Sequence, residues 1–573
     1  MSATAEFPPS TLASANPQAA RPASGWLFGP LPDLLLGCGV GYAIVLVFLC
    51  VFGTEVREGL APGLLPFLTV LIGAPHYGAT LLRVYERRED RRAYALFSVW
   101  ATLLLATVFI IATRSVWLGS LVLTVYITWS PWHYTGQNYG LAVMFLRRRG
   151  VAVDATTKRF LYSSFLLSYA TTFLAIHSQA PGASYTPPLF IADSYRVISL
   201  GIPNAIGGPL FYGALAGYCI TLLVAFGRLL RGGRVGAIAP ALLLALTQAM
   251  WFSIPVAMRR FGLLSWLEPF APQYAGWYFF WAALGHSIQY VWVTSYFARN
   301  ATGFPGLPAY LAKALFAGTA IWGLPALLFA PGMLGRIPYD AGLGALIAAT
   351  VNLHHFVLDG AIWKLRDGRI ARILVRSEAS ATPAPIGTPQ RGWLAPALLV
   401  AGALACATMV FAEFETEFGL RRAAARVDVP RMREALQNLG WIGRASATNH
   451  LTFGRLLASQ GEPGGAIREY QKSVNLYPTA DAWVSLAELL EEQGMIRQAR
   501  DAYEKAVDLA PDSAPVAYRA AAIAIKDNDP ERARVLLERA VAIDPTRKLY
   551  QLALENARAR VATPPPPDMP TSE

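Results

Sequence analysis

The chain has 573 residues, of which 54% are hydrophobic and only 15% charged, with a positive mean hydropathy. Such a composition is too apolar for a water-soluble enzyme and too uneven for one uniform domain. The net charge of +12 sits mostly in short basic runs beside apolar segments, which is a topology signal rather than a nucleic-acid footprint.

Residues 1–25 are rich in Ala, Pro and Ser and lack a basic start followed by an apolar core. They read as a disordered N-terminus without a cleaved signal peptide. Apolar stretches long enough to span a bilayer then recur near 27–52, 61–84, 93–113, 116–146, 158–177, 207–230, 236–257, 272–298, 308–330, 340–363 and 393–412. The expected fold is therefore all-α: a polytopic helix bundle of about eleven spans, with a ten-helix body over 26–376 and a last membrane helix at 392–413. Basic runs fall at 83–92, 146–150, 228–234, 297–300 and 363–376. With a cytoplasmic N-terminus every one of these faces the cytoplasm, as the positive-inside rule requires, and only the run at 258–262 lies on the far side. The segment 177–209 is too polar and too broken by Pro and Gly to span, so it reads as an outer loop or re-entrant cap.

Residues 377–391 form a Ser, Ala and Pro linker. From 420 to 560 the chain turns charged, Ala-rich and amphipathic, with a repeat of about 34 residues closed by Pro478, Pro511 and Pro545. The best copy carries Trp483, Leu486, Gly494, Ala499, Tyr503, Ala506 and Pro511. This resembles the tetratricopeptide repeat, and the resemblance implies an α-solenoid of about three repeats with a groove for a protein or peptide partner. Asp529 reads as the departure in the third copy, where the turn glycine belongs. The tail, 561–573, is Pro-rich and disordered.

The chemistry concentrates in the body. Of seven histidines, His76, His133, His286, His354 and His355 lie within four spans. Each span places a polar partner one turn on, on the same helix face: Thr80, Gln137, Gln289 with Tyr290, and Asp359. All four spans run outside to inside, and each histidine lies well before the basic end, so the imidazoles share one layer of the inner half of the bilayer. Ionisable groups at that depth persist where they line a site. Imidazoles with a carboxylate and no thiolate suit iron better than structural zinc, with copper and zinc open. The ligand candidates are His76, His133, His286 and His355. His354 points about 100 degrees away from His355 on a helix. Asp359 is ligand, orienter or base, and Gln137 and Tyr290 are further catalytic candidates. Taken singly, each histidine is more often a helix-to-helix hydrogen-bonding group; the co-occurrence of four at one depth, each with a polar neighbour on its own face, is what favours the metal site.

Tyr77, Tyr85, Trp129, Trp132, Tyr134, Tyr139, Trp292, Phe356 and Trp363 surround the cluster, as packing residues or as a wall for an apolar substrate. Arg83 either snorkels or pairs with Asp359, and Asn138 and Asn352 offer further hydrogen bonds. The four cysteines show no CxxC spacing.

In architecture and residue type the body resembles bacterial membrane oxygenases of the carotene-dioxygenase kind. The resemblance implies dioxygen activation at a ferrous centre and oxidation of an apolar substrate, and carries no ligand over. Three other readings stay open. One is a membrane glycosyltransferase with repeats, with Glu55 and Glu58 as its acidic pair. Another is a b-type haem protein, and the last a scaffold anchored by the body. The expected setting is the bacterial inner membrane, with the repeats in the periplasm and no nucleic-acid partner.

Overall fold

A computed structural model describes residues 25–86, 92, 94–178, 195–232, 234–300, 303–363, 373–374 and 394–562. Most of the N-terminus, the 377–391 linker, the tail from 563 and parts of the 83–92 and 363–376 basic runs lie outside the described residues. The described chain is helical throughout, without strands beyond two isolated bridges.

Among the described residues, eleven principal helices build the body. They are α1 Val40–Glu55, α2 Leu64–Tyr85, α3 Leu96–Ala112, α4 Val116–Arg148, α5 Ala155–His177, α6 Asn204–Gly232, α7 Val235–Phe261, α8 Ala275–Arg299, α9 Leu307–Leu328, α10 Tyr339–Ile362 and α11 Pro396–Ala425. Eight of the eleven are long and apolar enough to cross a membrane, which makes this a membrane protein by composition. The exceptions are the short α3, and α4 and α8, where aromatic and polar residues replace aliphatic ones.

The first apolar stretch is not one helix. Gly39 takes a φ of 83° and separates α1 from a short turn over Pro30–Gly37. There the buried Asp33 accepts from Leu27 N at 2.5 Å, Phe28 N at 3.1 Å and Trp292 Nε1 at 3.0 Å. A carboxylate that collects donors in this way pins the chain entry to α8.

Packing around α9 sets the position of α2. An added Cβ at Gly78 would run into the carbonyl of Ala314, one at Gly318 into that of Ala74, and one at Gly402 into that of Phe316. Without side chains at these crossings the three backbones close to contact, the packing mode that holds helices together where lipid offers no hydrophobic drive. The α10 helix is the most buried of the candidate spans and packs on α2, α3 and α4.

The last membrane helix does not stop at 413 but continues to Ala425. A turn at Val427, with φ 58°, and the Asp428 cap on Arg431 N then open α12 Val429–Trp441. Helix pairs follow: α13 Ala447–Ser459 with α14 Pro463–Leu476, α15 Ala480–Glu492 with α16 Ile496–Leu509, and α17 Ala514–Lys526 with α18 Pro530–Ile543, closed by α19 Lys548–Ala562. Their core is Ala, Leu and Tyr at helical spacing. In the third pair the left-handed turn residue is Asn528, with φ 59°, in the place of Gly461 and Gly494. Asp529 is instead the N-cap of α18, accepting from Arg532 N at 3.0 Å, so the departure from the turn glycine falls one residue earlier than its expected position. Arg444 seats the domain on the body, lying over the Tyr339 ring and pairing with Glu413 at 3.0 Å.

Candidate metal centre

Two of the four imidazoles follow a proline closely. Pro75 precedes His76 just after a π-helical turn at Thr69–Gly73, and Pro131 lies two residues before His133 within α4. Proline withholds a backbone N–H and crowds the carbonyl four residues back; Pro75 sits in the first turn of its segment, where this is tolerated, and α4 stays helical through Pro131.

The structure brings His76, His133, His286 and His355 together from α2, α4, α8 and α10. One ring nitrogen from each lies within 4.8 Å of the others. Bonds of about 2.1 Å to a metal place cis nitrogens roughly 3.0–3.4 Å apart and trans ones about 4.2 Å, so the set closes on an ion with shifts below about 1 Å. His355 Nε2 and His133 Nε2 already stand 3.2 Å apart.

The supporting bonds decide which nitrogen of His355 faces the centre. His355 Nδ1 lies 2.8 Å from Thr80 Oγ1, Thr80 donates to Asp359 Oδ1 at 3.1 Å, and Tyr290 OH donates to the same oxygen at 2.7 Å. Thr80 has one proton and three partners, Asp359, Tyr290 and His355; where it gives that proton to either oxygen it accepts from His355 Nδ1–H, the tautomer that leaves a lone pair on Nε2. Trp363 Nε1 donates to Tyr290 OH at 3.0 Å. Asp359 Oδ2 stands 3.4 Å from His355 Nε2 and 3.8 Å from His133 Nε2, beside the cluster.

Aromatic rings hold two more imidazoles in place. Phe356 stacks on His133 at 4.4 Å, and Tyr134 on His286 at 4.0 Å. His76 and His286 are buried, and both nitrogens of each lack a hydrogen-bond partner among the described residues. A buried polar atom left unsatisfied costs roughly 1–3 kcal/mol. An ion at the centre would satisfy one nitrogen on each ring, and in this respect the donor set fits a metal.

Other candidates lie elsewhere. His354 turns away from the cluster toward Thr102 Oγ1, 2.8 Å distant, and Tyr85; on a helix two consecutive side chains cannot share a face. Gln137 Nε2 donates to Gln289 Oε1 at 2.5 Å and to the His286 carbonyl at 3.4 Å. Arg83 lies over the Phe297 ring. Asn138 donates to Gln248, and Asn352 to the Ala348 carbonyl. Glu55 is exposed, and Glu58 pairs with Arg57, which also binds Glu268.

The aromatic wall divides. Trp129, Trp132, Phe356 and Trp363 line a cavity of about 320 Å³ that also touches His133, Gln137, Tyr290 and Asp359. Trp292 instead binds Asp33, Tyr139 packs on Tyr162 and Phe165, and Tyr77 stacks on Trp322. The sequence reading missed three glycines that line the same cavity: Gly136, Gly140 and Gly360. Their signal was a pair four residues apart on the helix that carries His133.

Residues 490–557 match the tetratricopeptide repeat family model, which supports a protein-interaction role for this part of the chain. No curated protein matches the chain, and the likeness of the body to membrane oxygenases has no sequence match behind it.

Proposed function

We propose that the body is a metal-dependent membrane oxidoreductase, with iron as its metal and an apolar molecule as its substrate. The observation that carries this reading is the meeting of four imidazoles from four helices, two of them with no hydrogen-bond partner for their nitrogens among the described residues. A ligand set of imidazole and carboxylate without thiolate favours iron, and the ion would supply the redox chemistry and the activation of dioxygen.

The side chains have distinct tasks in this reading. His76, His133, His286 and His355 hold the ion, and Thr80 fixes the His355 tautomer. Asp359 keeps Oδ1 bound by Tyr290 and Thr80 and presents Oδ2 toward His133 and His355, placed to ligate or to take a proton. The aromatic cavity holds the substrate beside them and keeps water away. Two imidazoles on opposite faces of a porphyrin stand with centroids about 6 Å apart; four of the pairs here are closer, at 4.1–5.1 Å, and the pair at 6.5 Å, His286 and His355, has both His76 and His133 within 5.1 Å of each ring, which speaks against a macrocycle between them.

The setting we infer is the bacterial inner membrane, with the N-terminus cytoplasmic and the repeats recruiting a periplasmic protein partner. Elemental analysis and an optical spectrum of the detergent-purified chain test the central claim. Near-stoichiometric iron without a Soret band supports it. A Soret band turns the reading to haem, and absence of metal after reconstitution removes it.

A further inference from the structure

Glycines of the body differ in what an added Cβ would meet. At Gly78, Gly318 and Gly402 an added Cβ would strike a neighbouring backbone, so these residues are explained by packing. At Gly136, Gly140 and Gly360 an added Cβ meets no atom within 4 Å among the described residues. Glycine inside a helix is unfavourable relative to alanine, and these three return nothing in helix contact. They do share a location. All three line the cavity that ends on His133 and Asp359, while its other walls carry bulky aromatics.

Gly136 and Gly360 are also exposed, on α4 and α10. The cavity is therefore open sideways, between two helices of the bundle, from a level about 12–18 Å along α4 from its basic end to one about 6 Å before the basic run that follows α10. In a membrane protein the solvent at that depth is hydrocarbon. The cavity's glycine, aliphatic and aromatic-ring surfaces offer water no partners and an apolar chain many, the polar side chains that can bind water being those of His133, Gln137, Tyr290 and Asp359.

We infer that Gly136, Gly140 and Gly360 form a lateral slot that admits an exchangeable hydrocarbon chain, of the fatty-acyl class, from the bilayer to the face of His133 and Asp359. The slot needs no metal to bind its chain; only the consequence of binding, oxidation of that chain, rests on the proposed function. Each glycine determines specificity, because a side chain there would occupy the path.

The test uses the full chain in phosphatidylcholine nanodiscs with a fatty acid that carries a terminal diazirine. After irradiation, adducts are mapped by mass spectrometry and metal content is measured in parallel. Wild type is expected to be labelled within 129–144 and 356–363, whether the probe is added before or after assembly. The Gly136→Leu/Gly140→Leu double variant, and separately Gly360→Leu, should lower that labelling about tenfold or more by overfilling the slot, with metal content unchanged. Gly213→Leu, at an exposed α6 position that also meets open space outside the cavity, should change nothing. Labelling spread evenly over the lipid-facing helices overturns the inference, as does labelling only when the probe is present during assembly, which marks a built-in lipid. A slot variant that converts a dimer to a monomer in native mass measurement also overturns it, because the glycines would then seat a second copy. Wild type without metal but with slot-specific labelling removes the proposed chemistry and leaves the slot standing.

Discussion

The membrane body and the repeat domain are both built from helices, yet they treat their polar side chains in opposite ways. In the repeats, charges face solvent and pair across neighbouring helices, as Arg500 does with Asp527 and Asp529 at 2.7 and 2.8 Å. The one histidine there, His450, pairs with Glu469 at 2.6 Å; burial raises that carboxyl, but His450 and Lys472 outweigh it and hold it below the usual range. In the body, polar groups are gathered inside, and two imidazoles have no hydrogen-bond partner among the described residues. His177 shows that this is not the rule for the body, since Thr128 Oγ1 and Leu200 N occupy both of its nitrogens. A histidine whose bonds are complete is explained by the fold. His76 and His286 are not, and the proposed metal rests on that difference.

The largest effect should come from breaking that difference directly. His286→Ala is expected to abolish metal binding, while His177→Ala and His450→Ala leave it intact; elemental analysis of the three variants reads the outcome. Equal metal in all three would make the partnered and unpartnered histidines equivalent and end the distinction. Next in size is the helix crossing. Gly78→Leu forces α2 away from α9, and a cost of about 3 kcal/mol or more should appear as a large fall in the detergent melting temperature. Thr80→Val sharpens the comparison more gently. It preserves shape but removes the acceptor of His355 Nδ1 and a donor to Asp359, and loss of such a support lowers metal affinity about 10–100-fold. A competitive chelator titration measures it, and an unchanged affinity would show that Thr80 does not set the ring.

The two regions also differ in how far their sequence discloses them. In the repeats, period and composition are enough, because each unit buries the same Ala and Tyr positions against its neighbour, as at Ala499 and Tyr503. In the body, spacing puts His355 and Asp359 on one face and the four histidines at one depth. It does not say that Thr80 joins His355, Tyr290 and Asp359, because that junction involves α2, α8 and α10 and depends on the α2–α9 crossing. Asp33 was equally hidden, for its donors come from a turn that an unbroken apolar run conceals. Trp292 illustrates the limit in another way. It sits on the same helix as His286 but two residues past Tyr290, and its ring turns to Asp33.

The smallest predicted effects belong to the repeat turn, where one residue separates a cap from a strained position. Asp529 accepts from Arg532 N and from Arg500 Nη2 at 2.8 Å. Asp529→Ala should therefore cost about 1–2 kcal/mol. Asn528 pays for a left-handed φ of 59°, a modest cost for Asn. Asn528→Gly removes it but also loosens the unfolded chain, and the two terms nearly cancel, leaving a gain of at most a few tenths of a kcal/mol. Hydrogen exchange of the α17–α18 amides in the full chain separates the two variants. Faster exchange for Asp529→Ala with little change for Asn528→Gly assigns capping to Asp529 and the turn to Asn528. The reverse pattern would return the turn position to Asp529, as the repeat period alone suggested. Because neither residue touches the body, metal content should be the same in both variants, so the two regions can be perturbed one at a time.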